Sequence, residues 1–327
     1  MTGLALVPAR RLLVERPVVR IALEPGDRVV TTAGAFVVAG DLLAERVRDP
    51  RLEEVEERDV RAVPAQPGSW VAAEHGRRGS VAAGEVLFSH GGRRRVATGP
   101  HLDLVTAPAA GRVTAVRPGA AIELELDGVG IPGSALLGDP GHGRLVLLPG
   151  DGEGRLPLDV AHAGAIVVFS GRADAETLTR ARAMGIAGAV VPSLAERDRR
   201  DVEASEARQR AGIHRLAAFP VLVVEGYLRR ALAGPLRDLL AALAGSPVGL
   251  VADPPLLVHG GPATALPRPA PDRVRIRTGP EAGGDGRFLA LAGPRRLTAG
   301  VATEAARVRL DDGREVVVPL GDLERFA

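Results

Sequence analysis

Two short segments at the ends of apolar runs carry residue types that a hydrolytic or binding site would need. Ser170-Gly171 follows Ala165-Ile166-Val167-Val168-Phe169, and Glu225-Gly226-Tyr227 follows the run from Phe219 to Val224. In an open α/β sheet, ligands bind beyond the carboxyl ends of the strands. Ser170, Gly171, Glu225 and Tyr227 are therefore the ligand-pocket candidates, with a carboxylate beside the only tyrosine of the chain. The same residues admit a structural reading, in which Glu225 accepts helix N-terminal amides and Tyr227 packs under the next helix. Two sets of arginines could hold anions or an acidic partner. Arg93, Arg94 and Arg95 close the segment Ser89 to Arg95 and could clamp a phosphate or carboxylate bidentately, or stand solvated. Arg275, Arg277 and Arg287 could contact RNA phosphates or a protein surface.

Beyond these groups, composition removes most reaction classes. The 327 residues include 42 basic ones, all arginine, and no cysteine. Lysine Schiff-base chemistry and a P-loop lysine are excluded, as are disulfides and thiolate metal sites. The seven histidines show no His-x-His or His-x-x-x-His spacing, so neither a metal nor a cofactor is expected, and no catalytic constellation emerges. The glycines between Gly128 and Gly143 match no phosphate-binding fingerprint and read as tight turns. The sequence pI of about 10.1 follows from a formal charge of only +2, because little titrates below the arginine range. Residues 272–327 hold ten arginines against nine acidic residues, which argues against nucleic acid as a partner. Residues 1–16 lack the apolar core of a signal peptide, and no apolar run is long enough to span a bilayer. A cytoplasmic protein is the expectation.

Three compositional zones must position these residues. From about Val18 to Leu148 the chain is short β-type runs broken by Gly and Pro. Val37-Val38-Ala39-Gly40-Asp41-Leu42-Leu43 recurs at an offset of 44 as Val81-Ala82-Ala83-Gly84-Glu85-Val86-Leu87. The charged block Asp49 to Asp59 between them reads as a solvated helix or linker. From about Asp159 to Pro254 strands and helices alternate. The predicted strands are Ala165–Phe169, Gly188–Val191, Phe219–Val224 and Val248–Val251. The predicted helices are one capped by Asp174, a charged one capped by Ser193, and one over Leu228 to Leu243 that Gly234-Pro235 kinks or splits. Pro262 to Pro271 reads as an extended linker. Val308 to Leu320 reads as a hairpin around Asp312-Gly313.

Gly79 to Leu87 with Ala107 to Val116 resembles the two halves of a barrel-sandwich domain, the fold that carries lipoyl or biotinyl groups on a hairpin lysine. With no lysine present, the resemblance implies a non-carrier version, in which the Gly84 and Ala107-Pro108 turns form paired corners and Ser89 to Arg95 projects as a hairpin. Ala165 to Val191 resembles the swivelling or protease-associated type of α/β domain. Val274 to Leu291 resembles a KOW motif, which implies a small SH3-like barrel. The order of the three resembles a set of bacterial multi-domain proteins, and it implies a fold but no activity.

The expectation is thus a multi-domain α+β protein. Residues 1–158 would form a β barrel-sandwich hybrid, 159–258 a small α/β domain, 259–272 a Pro-rich linker and 273–327 a KOW or SH3-like β-barrel. With catalytic groups dispersed, a non-enzymatic adaptor that binds protein partners through its β modules is the leading reading. The alternatives are a ligand-binding or hydrolytic α/β domain and RNA or ribonucleoprotein association through the C-terminal barrel.

Overall fold

Short Val- and Ile-rich segments that are buried on both faces form the centre of the molecule. Ala165–Val168, Gly188–Val191 and Val221–Val223 are buried at every position and lie parallel to one another. Such continuous apolar runs suit a sheet covered on both sides. The computed structural model describes residues 3–24, 27–48, 51–56, 70–71, 74–76, 79–81, 84–90, 92–98, 101–148, 158–211, 218–228, 230–296 and 300–327. Among them the fold is α+β and mostly β, with several separate sheets.

Among the described residues the central sheet has nine strands. Gly141–Leu147 pairs in parallel with Ala165–Val168 and antiparallel with Pro247–Ala252. Ala135–Leu137 forms one edge beside Val221–Val223. Pro255–His259, Val129–Pro132 and Val14–Glu15 complete the other. The sheet therefore recruits strands from both sides of residue 158.

One face packs against helices α1 (Ala175–Ala183) and α2 (Glu196–Ala211), burying Leu178, Ala181 and Val202 on Val167, Val191 and Val223. The other face packs against α3 (Gly234–Ala242), where Leu236, Leu239 and Leu240 meet Leu145, Ile166 and Leu222. Asp174 caps α1 as its position predicts, and Gly185 beyond its carboxyl end has a φ of 78°. Ser193 does not cap α2. Its hydroxyl instead exchanges hydrogen bonds with the backbone of Arg230. Pro235 does not kink α3 but stands in its first turn, where a missing N–H costs nothing, so the helix begins at Gly234 rather than Leu228.

Strands drawn from residues 18–24, 27–48 and 101–126 form two facing sheets. One contains Val18–Ala22, Ala121–Leu126, Gly111–Arg117 and Phe36–Val37, the other Arg28–Val29, Leu42–Arg48 and His101–Thr106. Val19, Ile21, Leu43, Val113 and Leu124 fill the space between, together with Val251, Leu256 and Val258 of the central sheet. The corner opposite Ala107 is the first copy of the repeat. Gly40 N–H donates to the Ala107 carbonyl (2.9 Å) and Ala107 N–H to the Asp41 carbonyl (2.8 Å). Gly84 instead opens Gly84–His90, a strand of a separate sheet with Arg51–Glu56, Arg93–Thr98 and Trp70–Val71. Residues 82–83 lie outside the described residues. Within the charged block expected to be helix or linker, residues 51–56 are a strand. Its register sets Glu54 opposite Arg95 and Glu56 opposite Arg93, positions at which opposite charges favour pairing of strands.

The third assembly is a six-stranded sheet in the order Ala9–Arg10, Leu323–Phe326, Arg273–Ile276, Asp285–Arg296, Ala302–Leu310, Glu315–Pro319. Its core joins Leu4 and Val7 to Val274, Ile276, Val308 and Leu323. Within the expected linker, Leu266 is buried against the central core. The N-terminal segment thus runs from this sheet at Ala9–Arg10 into the central sheet at Val14–Glu15.

Asp174 Oδ1 accepts the Thr177 N–H at 2.8 Å. That backbone bond holds the Asp174 carboxyl below the ordinary aspartate range. The stabilisation is complete above the ordinary range and is lost as pH falls through the depressed value. Asp174→Asn keeps an acceptor but not the titration, so the melting-temperature difference between wild type and Asn should change sign or shrink between pH 7 and pH 3. Asp174→Ala should cost about 1 kcal/mol at pH 7. A wild-type-minus-Asn difference that stays flat across that range would contradict the assignment.

Candidate functional site

The carboxyl ends of the parallel strands meet the amino end of α3 and the C-terminal sheet, and the sequence candidates can be followed there one by one. Ser170 donates its hydroxyl to the Leu148 carbonyl at 2.8 Å. Gly171 beside it is partly buried. The strand of Ser170 is separated from that of Glu225 by Gly188–Val191. Two strand spacings place them roughly 10 Å apart, beyond hydrogen-bond reach. Tyr227 is exposed, and its ring lies 5.7 Å from the Arg199 guanidinium of α2, a cation–π distance. The hydroxyl, the carboxylate and the phenol do not form one hydrogen-bonded group.

Taken as whole residues, Glu225 and Arg275 are the buried charged or polar ones among the described residues. Glu225 Oε2 accepts from Arg10 Nη1 at 2.6 Å, and its Oε1 accepts the Ala233 N–H at 3.1 Å. Arg10 Nη1 also reaches Glu324 Oε1 at 3.3 Å. Burial alone would lower the Arg10 pKa, but the charges and hydrogen bonds of Glu225 and Glu324 outweigh it and hold the value above that of an ordinary arginine. One guanidinium therefore ties the central sheet to the C-terminal sheet.

A second ion pair stands beside it. Arg275 directs Nη1 to Asp285 Oδ1 at 3.2 Å and Nη2 to the Ala231 carbonyl at 2.6 Å. Asp285 Oδ2 accepts the Gly234 N–H at 2.6 Å. Burial raises the Asp285 pKa above the ordinary aspartate value, against the lowering effects of Arg275 and the Gly234 amide. A raised carboxyl binds its proton more tightly in the folded chain. This contribution therefore weakens folding as pH rises from the ordinary aspartate range through the raised value.

Arg277 is exposed, its carbonyl accepts from Arg230 Nη2 at 2.7 Å, and its Nε lies 3.9 Å from Glu324 Oε2. Arg287 is exposed on the same sheet. Arg275 is 1% exposed and Arg287 is on the surface, so the three C-terminal arginines do not form one exposed patch. Arg93 is exposed, and Arg93, Arg94 and Arg95 stand in register with His90, Ser89 and Phe88 on one side and with Glu56, Val55 and Glu54 on the other. Among the described residues, no cluster of three or more His, Asp or Glu side chains could hold a metal ion. None of the described helices is long and apolar enough to cross a membrane.

Arg10, Asp285 and Glu324 were not visible as partners of this region in the sequence. Arg10 lies 215 residues from Glu225 and 314 from Glu324, and no local spacing rule reports such pairs. Helix α3 did carry a signal. Its cap position is Ala233, with no side chain to accept an amide, so an acceptor had to come from elsewhere.

No family model matches the sequence, and no curated protein matches it.

Removing Arg10 leaves the Glu225 carboxylate buried without its counter-charge. Arg10→Ala should destabilise the protein by about 3 kcal/mol, the scale for breaking a buried pair on one side. The double variant Arg10→Met, Glu225→Gln keeps an acceptor for Ala233 and removes both charges, and it should be more stable than Arg10→Ala alone. Chemical denaturation of the three proteins checks this, and an Arg10→Ala midpoint equal to wild type would refute the bridging role.

Proposed function

We propose that the protein is a non-enzymatic adaptor that binds protein partners through its β modules, with the α/β layer acting as the rigid connector. The observation that carries this reading is the state of Glu225. The strand-end carboxylate Glu225 has its oxygens engaged by Arg10 and the Ala233 amide, and the Ser170 hydroxyl points to a backbone carbonyl. A general base must face the proton that it removes, and a carboxylate so engaged serves the fold. The paired sheets of residues 18–48 and 101–126 support a barrel-sandwich hybrid of the non-carrier kind. The antiparallel strands of residues 273–326 support an SH3-like barrel of the KOW type. Both are folds that present sheet faces and hairpins to partners. RNA is the weaker candidate because Arg275 is buried and fully engaged, which leaves fewer of the C-terminal arginines for phosphates.

Chemical cross-linking in lysate followed by mass spectrometry tests the proposal. The chain has no lysine, so carboxyl-reactive reagents are required. Reproducible links from acidic residues of 51–98 or 273–327 to one partner, competed away by excess unlabelled protein, are the expected result. A monomer without saturable links, together with turnover of a metabolite that Glu225→Gln abolishes without unfolding the chain, would replace this reading with the hydrolytic one.

A further inference from the structure

We propose that the strands of residues 51–98 form a folding unit of their own, carried on a two-stranded ribbon and able to open while the facing sheets of residues 18–24, 27–48 and 101–126 stay intact. The inference is independent of the adaptor reading. It rests first on register. Leu42–Arg48 pairs with His101–Thr106, and Arg48 stands opposite His101. Arg51–Glu56 pairs with Arg93–Thr98, and Arg51 stands opposite Thr98. Three residues onward from Arg48 and three back from His101 lead to the Arg51–Thr98 pair, so one antiparallel register runs through both ladders.

The neighbours of the ribbon change between the two ladders. In the first, Arg28–Val29 adds a third strand beside Leu42–Arg48; in the second, Gly84–His90 adds one beside Arg93–Thr98, the opposite member of the ribbon. Every strand described between residues 51 and 98 finds its partners within that stretch, including Glu74–Gly76 with Gly79–Val81. Among the described residues, no third strand therefore continues from one ladder to the other. A two-stranded ribbon is only marginally stable in water without a third strand or a covering face. The turn-and-strand repeat divides in the same way. The copy Val37–Leu43 leads into the strand on His101–Thr106, and the copy Val81–Leu87 into the strand on Arg93–Thr98.

The sequence between the ladders supplies the physical reason for a boundary. Residues 49–50 and 99–100 lie outside the described residues, but their identities are Asp49-Pro50 and Gly99-Pro100. Counted in the shared register, Asp49 is matched with Pro100 and Pro50 with Gly99. Of two adjacent antiparallel pairs, one exchanges two hydrogen bonds and the next exchanges none. Each of these pairs contains a proline, which has no N–H, so neither could exchange a full set of bonds. Prolines belong at edges and bulges rather than in the middle of a ladder. The stretch 51–98 is also near the lower size limit of chains that fold alone, roughly 40–60 residues, so it should open more readily than the larger body that carries it.

Native-state hydrogen exchange of the full chain, read by mass spectrometry at denaturant concentrations below global unfolding, provides the test. Relative to their intrinsic rates, the amides of residues 93–98 should exchange at least about 10-fold faster than those of 101–106, and those of 51–56 and 84–90 should share the denaturant dependence of 93–98. Position in the sheets alone would give the reverse order, because among the described residues Arg93–Thr98 has a strand on both sides and His101–Thr106 on one. Equal protection on the two sides of the boundary, or better protection of 93–98, would overturn the proposal. The double variant Pro50→Val, Pro100→Val restores both donors, and it should raise the protection of residues 51–98 by about 3-fold or more, the scale of one net hydrogen bond. An unchanged difference in that variant would refute the boundary at these prolines.

Discussion

The amino end of α3 lacks a cap of its own, and much of the architecture follows from how that deficit is met. A helix leaves its first amides without intrahelical acceptors, and Ala233 at the cap position has no oxygen to offer. Two carboxylates from outside the helix take the role. Glu225, at the end of a central strand, accepts from Ala233, and Asp285, on the C-terminal sheet, accepts from Gly234. Negative charge at this end of a helix is favoured by its dipole, but both acids are largely removed from water. Each therefore needs a cation, and Arg10 and Arg275 supply them. The helix terminus, two carboxylates and two guanidinium groups form one cluster in which no member can leave without stranding another.

That cluster joins the central sheet and the C-terminal sheet at the amino end of α3. Arg10 belongs to the edge strand of the C-terminal sheet, Leu12 N–H then bonds to the Ala327 carbonyl, and Val14–Glu15 enters the central sheet. The first and last residues of the described chain are thereby woven together, and apolar packing continues across the junction, with Leu12 and Phe326 in the same core as Leu236 and Ile166. Arginine suits both bridging positions because a planar fork can serve two acceptors at once. Arg10 reaches two glutamates, and Arg275 reaches a carboxylate and a carbonyl. An ammonium on a flexible stem would hold these directions less firmly.

The parts of this arrangement that sequence reasoning could read are those encoded over a few residues. The buried runs Ala165–Val168, Gly188–Val191 and Val221–Val223 and the Asp174 cap are local signals, and each element stands close to where its pattern places it. The start of α3 was harder because Gly-Pro reads as a breaker inside a helix and as an opener at its first turn, and only packing distinguishes the two. Ala135–Leu137 and Gly141–Leu147 look like turn-rich connections, since glycines flank the first and interrupt the second, yet close strand packing requires one of those glycines. A Cβ at Gly143 would meet the Gly164 carbonyl oxygen at 2.6 Å. The repeat of Val37–Leu43 at Val81–Leu87 shows a different limit. Both copies have a turn-and-strand composition, but the hydrogen bonds that join a corner to Ala107 belong to Gly40 and Asp41, and composition does not record pairing partners. The candidate site followed the same rule. Glu225 was legible as a strand-end carboxylate, while the arginine that occupies it was not.

Engagement of these acids bears on what the molecule can do elsewhere. Proton transfer needs a group that can change its charge near neutrality, and carboxylates serve best when burial shifts them without closing them off. Here the shifted carboxyl of Asp285 is covered by Arg275 and the Gly234 amide, so its titration is expressed as stability. Arginine, which supplies every basic side chain outside the histidines, does not release its proton in proteins. A concave surface lined by arginine can therefore gather and orient anions through fixed donors, but it has no means of exchanging protons with them.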